Sequence, residues 1–220
     1  MNIWLAENPR TECDETANVN SLSIGRDHDW LLKRVGDVLY RRGLNGAGVD
    51  KIAKEVGTYK MSIYRAMGSK EKLCIAYVAM LDQQRADAWG TLRSRFSADP
   101  RTLLMNFFEQ QRKFTLSEGF LGDPLMKISC ELEAGFPELR SALSDARDAD
   151  LARFNDIARL VRPNGDLDLA SELYFLWRQL VFPGRNTLEV ARDAKQVMRM
   201  VTNLLNVSKW PDSDALSSPG

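Results

Sequence analysis

Apolar residues recur three and four positions apart along almost the whole chain, and no run of alternating apolar and polar residues interrupts them. This spacing places the apolar side chains on one face of an α-helix, whereas a half-buried strand would require alternation. The sequence therefore predicts an all-α fold. With 220 residues and 44% hydrophobic content, the chain is long enough to bury a core without disulfide or metal cross-links.

Three glycines and one serine divide the N-terminal part of the chain into short helices. Gly43, Gly57 and Gly68 each follow an apolar stripe, where a left-handed residue commonly ends a helix. Ser69 is the predicted N-cap of a fourth helix, and Glu71 places a negative charge in its first turn. The four stripes are Leu31, Val35, Val38 and Leu39; Val49, Ile52, Ala53 and Val56; Ile63 and Met67; and Leu73, Ala76, Tyr77 and Met80.

Charge is distributed unevenly, although the net charge of the chain is zero. Residues 1–25 hold one base and four acids (net −3), residues 26–75 hold eleven bases and six acids (net +5), and residues 76–220 hold eighteen bases and twenty acids (net −2). A local excess of positive charge on short helices is typical of a phosphate-binding surface. A solvated helix face with extra lysines is the alternative interpretation.

The run IAKEVGTYKMSIYRAMGSKEKL, from Ile52 to Leu73, resembles the signature of tetracycline-repressor (TetR-like) transcriptional regulators. The Ile-Ala pair, the turn at Gly57, Tyr64 and the Ser-Lys-Glu that opens the fourth helix all match in spacing. The resemblance extends from roughly Asp27 to Tyr77. It implies an N-terminal three-helix helix-turn-helix DNA-binding domain and a C-terminal helical ligand-binding and dimerisation domain.

Three positions depart from the pattern of that family. Ala47 and Gly48 stand where threonine is common, so the second helix lacks a hydroxyl cap, although the glycine amide can still contact phosphate. Tyr59 stands where a capping serine usually begins the third helix. Met67 replaces a phenylalanine of similar volume, which preserves the core.

The third helix is the predicted recognition helix in the major groove of DNA. Arg65 can grip a guanine bidentately, and Met61 can touch a thymine methyl group. Tyr64 and Lys70 are expected to hold phosphates. The alternative is that Tyr64 packs on the first helix and that Lys70 is an ordinary surface lysine. The complete predicted set of DNA-contacting residues is Gly48, Tyr59, Lys60, Met61, Ser62, Tyr64, Arg65 and Lys70.

Proline pairs mark the helix starts of the second half of the chain. Asp99-Pro100, Asp123-Pro124 and Phe136-Pro137 place proline at the first helical position. Pro163-Asn164-Gly165 ends the third of these helices, and two last helices follow around Leu169 to Val181 and Leu188 to Val207. The predicted domains are a disordered segment at 1–25, the helix-turn-helix at 26–75, the regulatory domain at 76–208 and a disordered tail at 209–220.

A ligand cavity in the helical domain should be lined by aromatic side chains with a few polar groups. Each of the candidates has plain core packing as its alternative. Cys130 is an alternative oxidisable sensor, but no basic residue adjoins it, which favours a buried thiol. The candidates are Trp89, Phe107, Phe108, Gln111, Phe114, Met126, Cys130, Phe154, Tyr174, Trp177 and Arg178.

The last two helices carry more apolar surface than one slim domain requires, which predicts a two-fold homodimer through a four-helix bundle. The predicted interface residues are Leu169, Leu173, Leu176, Leu180, Val190, Ala194, Val197, Val201, Leu204 and Leu205.

Two other classes of function remain open: an all-helical enzyme, and a helix-turn-helix adaptor that binds a protein partner. The enzyme has little support, because His28 is the single histidine and the paired acids Glu131 and Glu133, two residues apart, point to different faces of a helix. Cys13, Cys74 and Cys130 lack metal-binding spacing. We therefore expect a cytoplasmic regulator, most simply a repressor, without a cofactor or metal, whose partners are operator DNA, an unknown small-molecule effector and a second copy of the chain.

Overall fold

The computed structural model describes residues 24–132, 135–162 and 168–206. This part of the chain consists of nine α-helices without a strand, which confirms the predicted fold class. The helices are α1 (Ile24–Gly46), α2 (Val49–Val56), α3 (Lys60–Met67), α4 (Lys70–Arg95), α5 (Pro100–Thr115), α6 (Pro124–Glu131), α7 (Pro137–Val161), α8 (Asp168–Leu180) and α9 (Thr187–Asn206). Among the described residues, no helix is long and apolar enough to cross a bilayer.

The helices bury two hydrophobic clusters. The N-terminal cluster joins α1, α2, α3 and the first half of α4 to α6 and the start of α7. The C-terminal cluster joins the second half of α4 to α5, the end of α7, α8 and α9. Because α4 contributes Leu73 to one cluster and Leu92 to the other, it connects the two halves of the molecule.

The helix caps follow the predicted pattern. Ser69 Oγ accepts a hydrogen bond from the Lys72 amide (3.1 Å), and the Asp99 and Asp123 carboxylates accept from the amides three residues ahead. These bonds satisfy amides that would otherwise lack a partner at the helix start. The first helix begins at Ile24, two residues before the predicted boundary of its domain.

Several sequence predictions fall outside the described residues. They concern residues 1–23 of the predicted N-terminal segment, the break at Pro163-Asn164-Gly165, Val207 and the tail at 209–220.

The predicted dimer stripe is wrong in its residues, because it forms part of the core of a single chain. Buried in the C-terminal cluster are the side chains of Leu169, Leu173, Leu176, Leu180, Ala194, Val197, Val201 and Leu205. Leu204 packs partly buried against this cluster, and Val190 is buried outside it. The stripe faces inward because α8 and α9 pack against each other, with α8 also on α7 and α9 also on α5.

Candidate functional site

The short helices α2 and α3 form a helix-turn-helix unit. Gly57 ends α2 in the left-handed conformation (φ 78°, ψ 34°), and the Thr58 amide donates to the Ala53 carbonyl at 2.9 Å. Ile52 of α2 and Ile63 of α3 are both fully buried in the N-terminal cluster. Packing of these inner faces leaves the opposite face of α3 to solvent.

The outer face of α3, defined here as Tyr59, Lys60, Met61, Ser62 and Arg65, is exposed along its length. Tyr59 is 82% exposed and Met61 is 68% exposed, which is unusual for large apolar side chains. The side chain of Arg65 forms no hydrogen bond or ion pair with another described residue. The face thus presents forked, hydroxyl and apolar groups of the kinds that contact base edges in a major groove.

Lys60 pairs with Asp50 across the starts of α3 and α2. Its Nζ lies 2.8 Å from the Asp50 carboxylate, and this hydrogen bond, together with the charge of Asp50, raises the pKa of Lys60. Both side chains remain largely exposed, so the pair is weak and can exchange for another anion.

The remaining predicted DNA contacts differ in their surroundings. Gly48 is the extended N-cap of α2, and no atom lies within 4 Å of where its Cβ would stand. Tyr64 is half-buried against the N-terminal cluster, which includes residues of α1, in agreement with the alternative that this side chain packs on the first helix. Lys70 is half-buried, and its Nζ donates to the Leu44 carbonyl at 2.7 Å. An ammonium group has three donors, so this bond leaves two for other acceptors.

The end of α1 is fastened to α6 and to the loop before it by hydrogen bonds. The Lys127 ammonium donates to the Tyr40 carbonyl (2.7 Å), and the Leu121 amide donates to the Tyr40 hydroxyl (2.8 Å). The Asn45 amide donates to a Glu131 carboxylate oxygen (3.3 Å), and the Asn45 side chain donates to the Glu131 carbonyl (3.1 Å). These contacts join α1, on which α2 packs, to α6 and the loop before it, at a point other than α4.

Gly43 forms a kink within α1, at the position where the sequence predicts the helix end. It adopts φ 75°, a left-handed conformation that strains the backbone of a residue with a side chain. A Cβ there would also contact the Glu131 carboxylate, which would have to move aside. A substitution at Gly43 would therefore disturb the contact between Glu131 and Asn45.

A cavity of about 380 Å³ lies between α4, α6, α7 and α8. Its wall contains a buried ionic cluster in which Arg85 of α4 pairs with Asp123, the N-cap of α6, and with Asp150 of α7. Arg153 adds a hydrogen bond to Asp150 at 2.7 Å and one to Asp82 at 2.7 Å. All three members of the central triad are at most 3% exposed.

Within this triad, the neighbouring opposite charges counteract the effect of burial on the pKa of Arg85 and of Asp150. Burial disfavours the charged form of Arg85, but the two carboxylates outweigh it and raise the pKa of the guanidinium. Burial raises the pKa of Asp150, and the neighbouring Arg85 opposes that rise. A buried charge of this kind depends on its partners.

The structure places four of the predicted ligand residues around this cavity: Met126, Tyr174, Trp177 and Arg178. Trp89, Phe107, Phe108 and Phe154 instead pack against one another in the C-terminal cluster, as the core alternative describes. Gln111 is buried and accepts a hydrogen bond from the Trp177 indole at 3.2 Å, and Phe114 packs edge-on against Phe120. The lining residues that the sequence analysis missed as ligand candidates include Arg85, Asp123, Arg140, Arg147 and Asp150.

The expectation of a buried Cys130 thiol is wrong. Cys130 is exposed, because it lies on the outward side of α6 in a groove of about 450 Å³ beside residues 182–185. This groove is larger than the cavity at Arg85, but its ionisable side chains, Lys127, Cys130, Glu131 and Arg185, all reach solvent. Cys74 is the buried thiol, and burial raises its pKa to about 11, which keeps it protonated at neutral pH.

The fold of the described residues is similar to that of solved structures of TetR-family transcriptional regulators. The chain is similar to SCO4454 from Streptomyces coelicolor, with a TM-score of 0.72 and 17% identity over 86% of this chain and 100% of that chain. It is similar to the regulatory protein TetR from Rhodobacter sphaeroides, with a TM-score of 0.69 and 20% identity over 80% of this chain and 97% of that chain.

A third similar structure is a TetR-family regulator, CifR, solved with a 26-base-pair operator DNA. It has a TM-score of 0.68 and 20% identity over 83% of this chain and 96% of that chain. No family model and no curated protein matches the sequence. At these identities the likeness establishes the fold, which is that of TetR-family regulators with an N-terminal helix-turn-helix and a C-terminal helical domain.

Proposed function

We propose that this chain is a DNA-binding transcriptional regulator that is released from an inverted-repeat operator by a small molecule. The observation that carries the proposal is the outer face of α3, which is exposed on a helix-turn-helix unit whose inner face is fully packed. A face of this size with one arginine, one lysine, a hydroxyl and two exposed apolar side chains matches the groups that read a major groove. The similar regulator CifR was solved with its operator DNA, which supports the DNA-binding part of the proposal.

The proposed DNA contacts are of two kinds, those to base edges and those to phosphates. We assign Arg65, Lys60, Met61 and Ser62 to base edges, since they are exposed on α3. The groups assigned to phosphate are the Gly48 amide, Tyr59, Tyr64 and the two remaining donors of Lys70. The bond from Lys70 to the Leu44 carbonyl holds the lysine in place for this contact, because it fixes the ammonium at the start of α4.

The route from the cavity to the DNA-reading unit runs through α6 as well as α4. Asp123 caps α6 and belongs to the ionic cluster in the cavity wall, while Glu131 at the other end of α6 accepts from Asn45 of α1. A ligand that binds more tightly to a shifted position of α6 would shift the position of α1. Its effect on operator affinity is bounded by its differential affinity for the two arrangements.

We further propose a homodimer through the outward faces of α8 and α9. Phe175 on α8 is 68% exposed, Phe182 just after α8 is 43% exposed, and Leu188 on α9 is 84% exposed. A second copy is the occupant that fits best, because a two-fold dimer presents two α3 helices to the two halves of an inverted repeat.

Changing both Phe175 and Phe182 to glutamate is expected to yield monomers, because four charges would face one another across the two-fold interface. Sedimentation velocity measures the change. The control is Leu160→Glu, which places one glutamate on α7 at a position 53% exposed. A dimer that persists in the double variant would place the interface elsewhere.

DNA binding itself is tested by fluorescence anisotropy with the DNA upstream of the coding region and a shuffled fragment of equal composition. The proposal predicts binding to the upstream DNA roughly 10³-fold tighter or more, with an affinity that falls as salt rises. Equal affinity for both fragments, or no affinity for either, would contradict it.

A further inference from the structure

Arginines outnumber carboxylates among the side chains that line the cavity at Arg85. The lining contains four arginines, Arg85, Arg140, Arg147 and Arg178, and two aspartates. Both aspartates, Asp123 and Asp150, are paired with Arg85. The cavity wall therefore supplies three further guanidinium groups and no further carboxylate.

Two of these guanidinium groups have a partner that is neutral or exposed. Arg178 lies with its guanidinium carbon 5.8 Å from the centre of the Tyr174 ring and also hydrogen-bonds to this neutral side chain. Arg147 donates to the Ser144 hydroxyl at 2.9 Å and lies 3.6 Å from the Asp148 carboxylate, in a pair where both side chains are more than half exposed. Such an exposed pair contributes little and exchanges readily for a better acceptor. A carboxylate is that acceptor, because a guanidinium fork can donate two parallel hydrogen bonds to it.

Aromatic and aliphatic side chains form the rest of the cavity lining. The rings of Tyr174 and Trp177 lie with their centroids 5.7 Å apart, and Leu125, Met126 and Leu143 complete the apolar surface. A flat apolar body would bury its area against these side chains without leaving a polar group unpaired.

We propose that the cavity binds an organic anion that joins an aromatic ring to a carboxylate. The carboxylate binds Arg178 and Arg147, and the ring packs against Tyr174 and Trp177. A cationic ligand is disfavoured, because it would meet three guanidinium groups while both carboxylates are already occupied. This inference rests on the proposed regulator function, since it names the class of the effector.

Binding is measured by titration calorimetry on the full-length protein without DNA. The probes are benzoate, 2-naphthoate and indole-3-acetate, each paired with its neutral primary amide. We expect at least one of the three acids to bind, and its amide to bind at least tenfold more weakly, because the amide removes the charge and keeps the ring. Arg178→Met and Arg147→Met should each weaken the acid roughly tenfold and leave the amide unchanged.

The matched control is Arg93→Met, which removes an equally exposed arginine of α4 that pairs with Asp156 outside the cavity. It should leave the affinity for the acid unchanged. Equal binding of acid and amide, no binding of any acid, or equal loss in the Arg93 control would each overturn the inference. The upstream-DNA measurement is independent of these titrations, so failure of the ligand class leaves the DNA-binding proposal intact, and failure of DNA binding leaves the titrations interpretable.

Discussion

Replacing Arg85 by methionine is expected to lower the free energy of unfolding by about 3–5 kcal/mol. The change removes the cation that Asp123 and Asp150 share inside the protein, and it leaves two carboxylates buried together. Arg153 still pairs with Asp150, so that carboxylate keeps one cationic partner, whereas the ion pair at Asp123 is lost. Chemical denaturation at neutral pH measures the loss, and Arg93→Met at an exposed position of the same helix provides the control.

The loss in free energy of unfolding caused by the Arg85 substitution should increase as pH rises from about 4 to neutral. Burial already raises the pKa of Asp150, and removal of Arg85 takes away the larger of the two cationic influences that oppose this rise, leaving that of Arg153. A carboxyl group whose pKa is higher in the folded state stabilises the fold below its unfolded pKa, about 4, and loses that contribution as pH rises through the folded pKa. The variant should therefore approach the stability of the parent near pH 4 and differ most at neutral pH. A deficit that is constant with pH would contradict the buried-charge explanation.

Replacing Arg65 by alanine is expected to cost about 1–3 kcal/mol per half-site at the operator. Arg65 is exposed on the outer face of α3, and its guanidinium fork can bind both acceptors of a guanine. The variant should keep its affinity for shuffled DNA and lose preference at one base position. Because the proposed dimer is two-fold, that position should relax in both halves of the operator. Anisotropy titrations with single-base operator variants provide the measurement.

The comparison for Arg65 is Lys70→Ala, which removes a proposed phosphate contact. It should weaken specific and shuffled DNA about equally, and the slope of log affinity against log salt should fall by about one for each lost contact, or about two per dimer. Thermal melting of this variant separates the loss of the Leu44 hydrogen bond from the loss at DNA. A uniform loss from Arg65→Ala together with altered base preference from Lys70→Ala would reverse our assignment of the two residues.

The features of the fold that are local in sequence were predictable. Apolar spacing and the caps at Ser69, Asp99 and Asp123 depend on residues within one or two turns of each other, and each cap forms its expected hydrogen bond. The exposed face of α3 follows from the same spacing, since burial of Ile63 and Met67 turns the other side of the helix outward.

Whether an apolar helix face packs in the core of one chain or against a second chain could not be predicted in the same way. The sequence shows that α9 has an apolar face through Val197 and Val201, but the same pattern serves a core or an interface. Packing of α8 and α9 on α5 and α7 uses that face within one chain. Phe175 and Leu188 were the available sequence signal for an interface, because they are large apolar residues that do not belong to the buried stripes of α8 and α9.

The sequence also contains a signal for the ionic cluster at the cavity, namely charged residues at core positions of two helices. Arg85 occupies a position of the α4 stripe between Leu81 and Ala88, and Asp150 occupies one between Ala146 and Phe154 in α7. A charged residue at a core position requires a buried partner. Which partner it finds depends on how α4, α6 and α7 meet, and that arrangement is not local in sequence.

Selection of duplexes from a random DNA pool by the full-length protein is the most direct test of the central claim, that α3 reads an operator. The account predicts enrichment of an inverted repeat whose half-site centres are separated by whole helical turns, about 34–36 Å each. The enriched sequence should lose one symmetric base preference when the selection is repeated with Arg65→Ala. A pool that gains no sequence preference, or a preference that survives unchanged in the Arg65 variant, would contradict the claim.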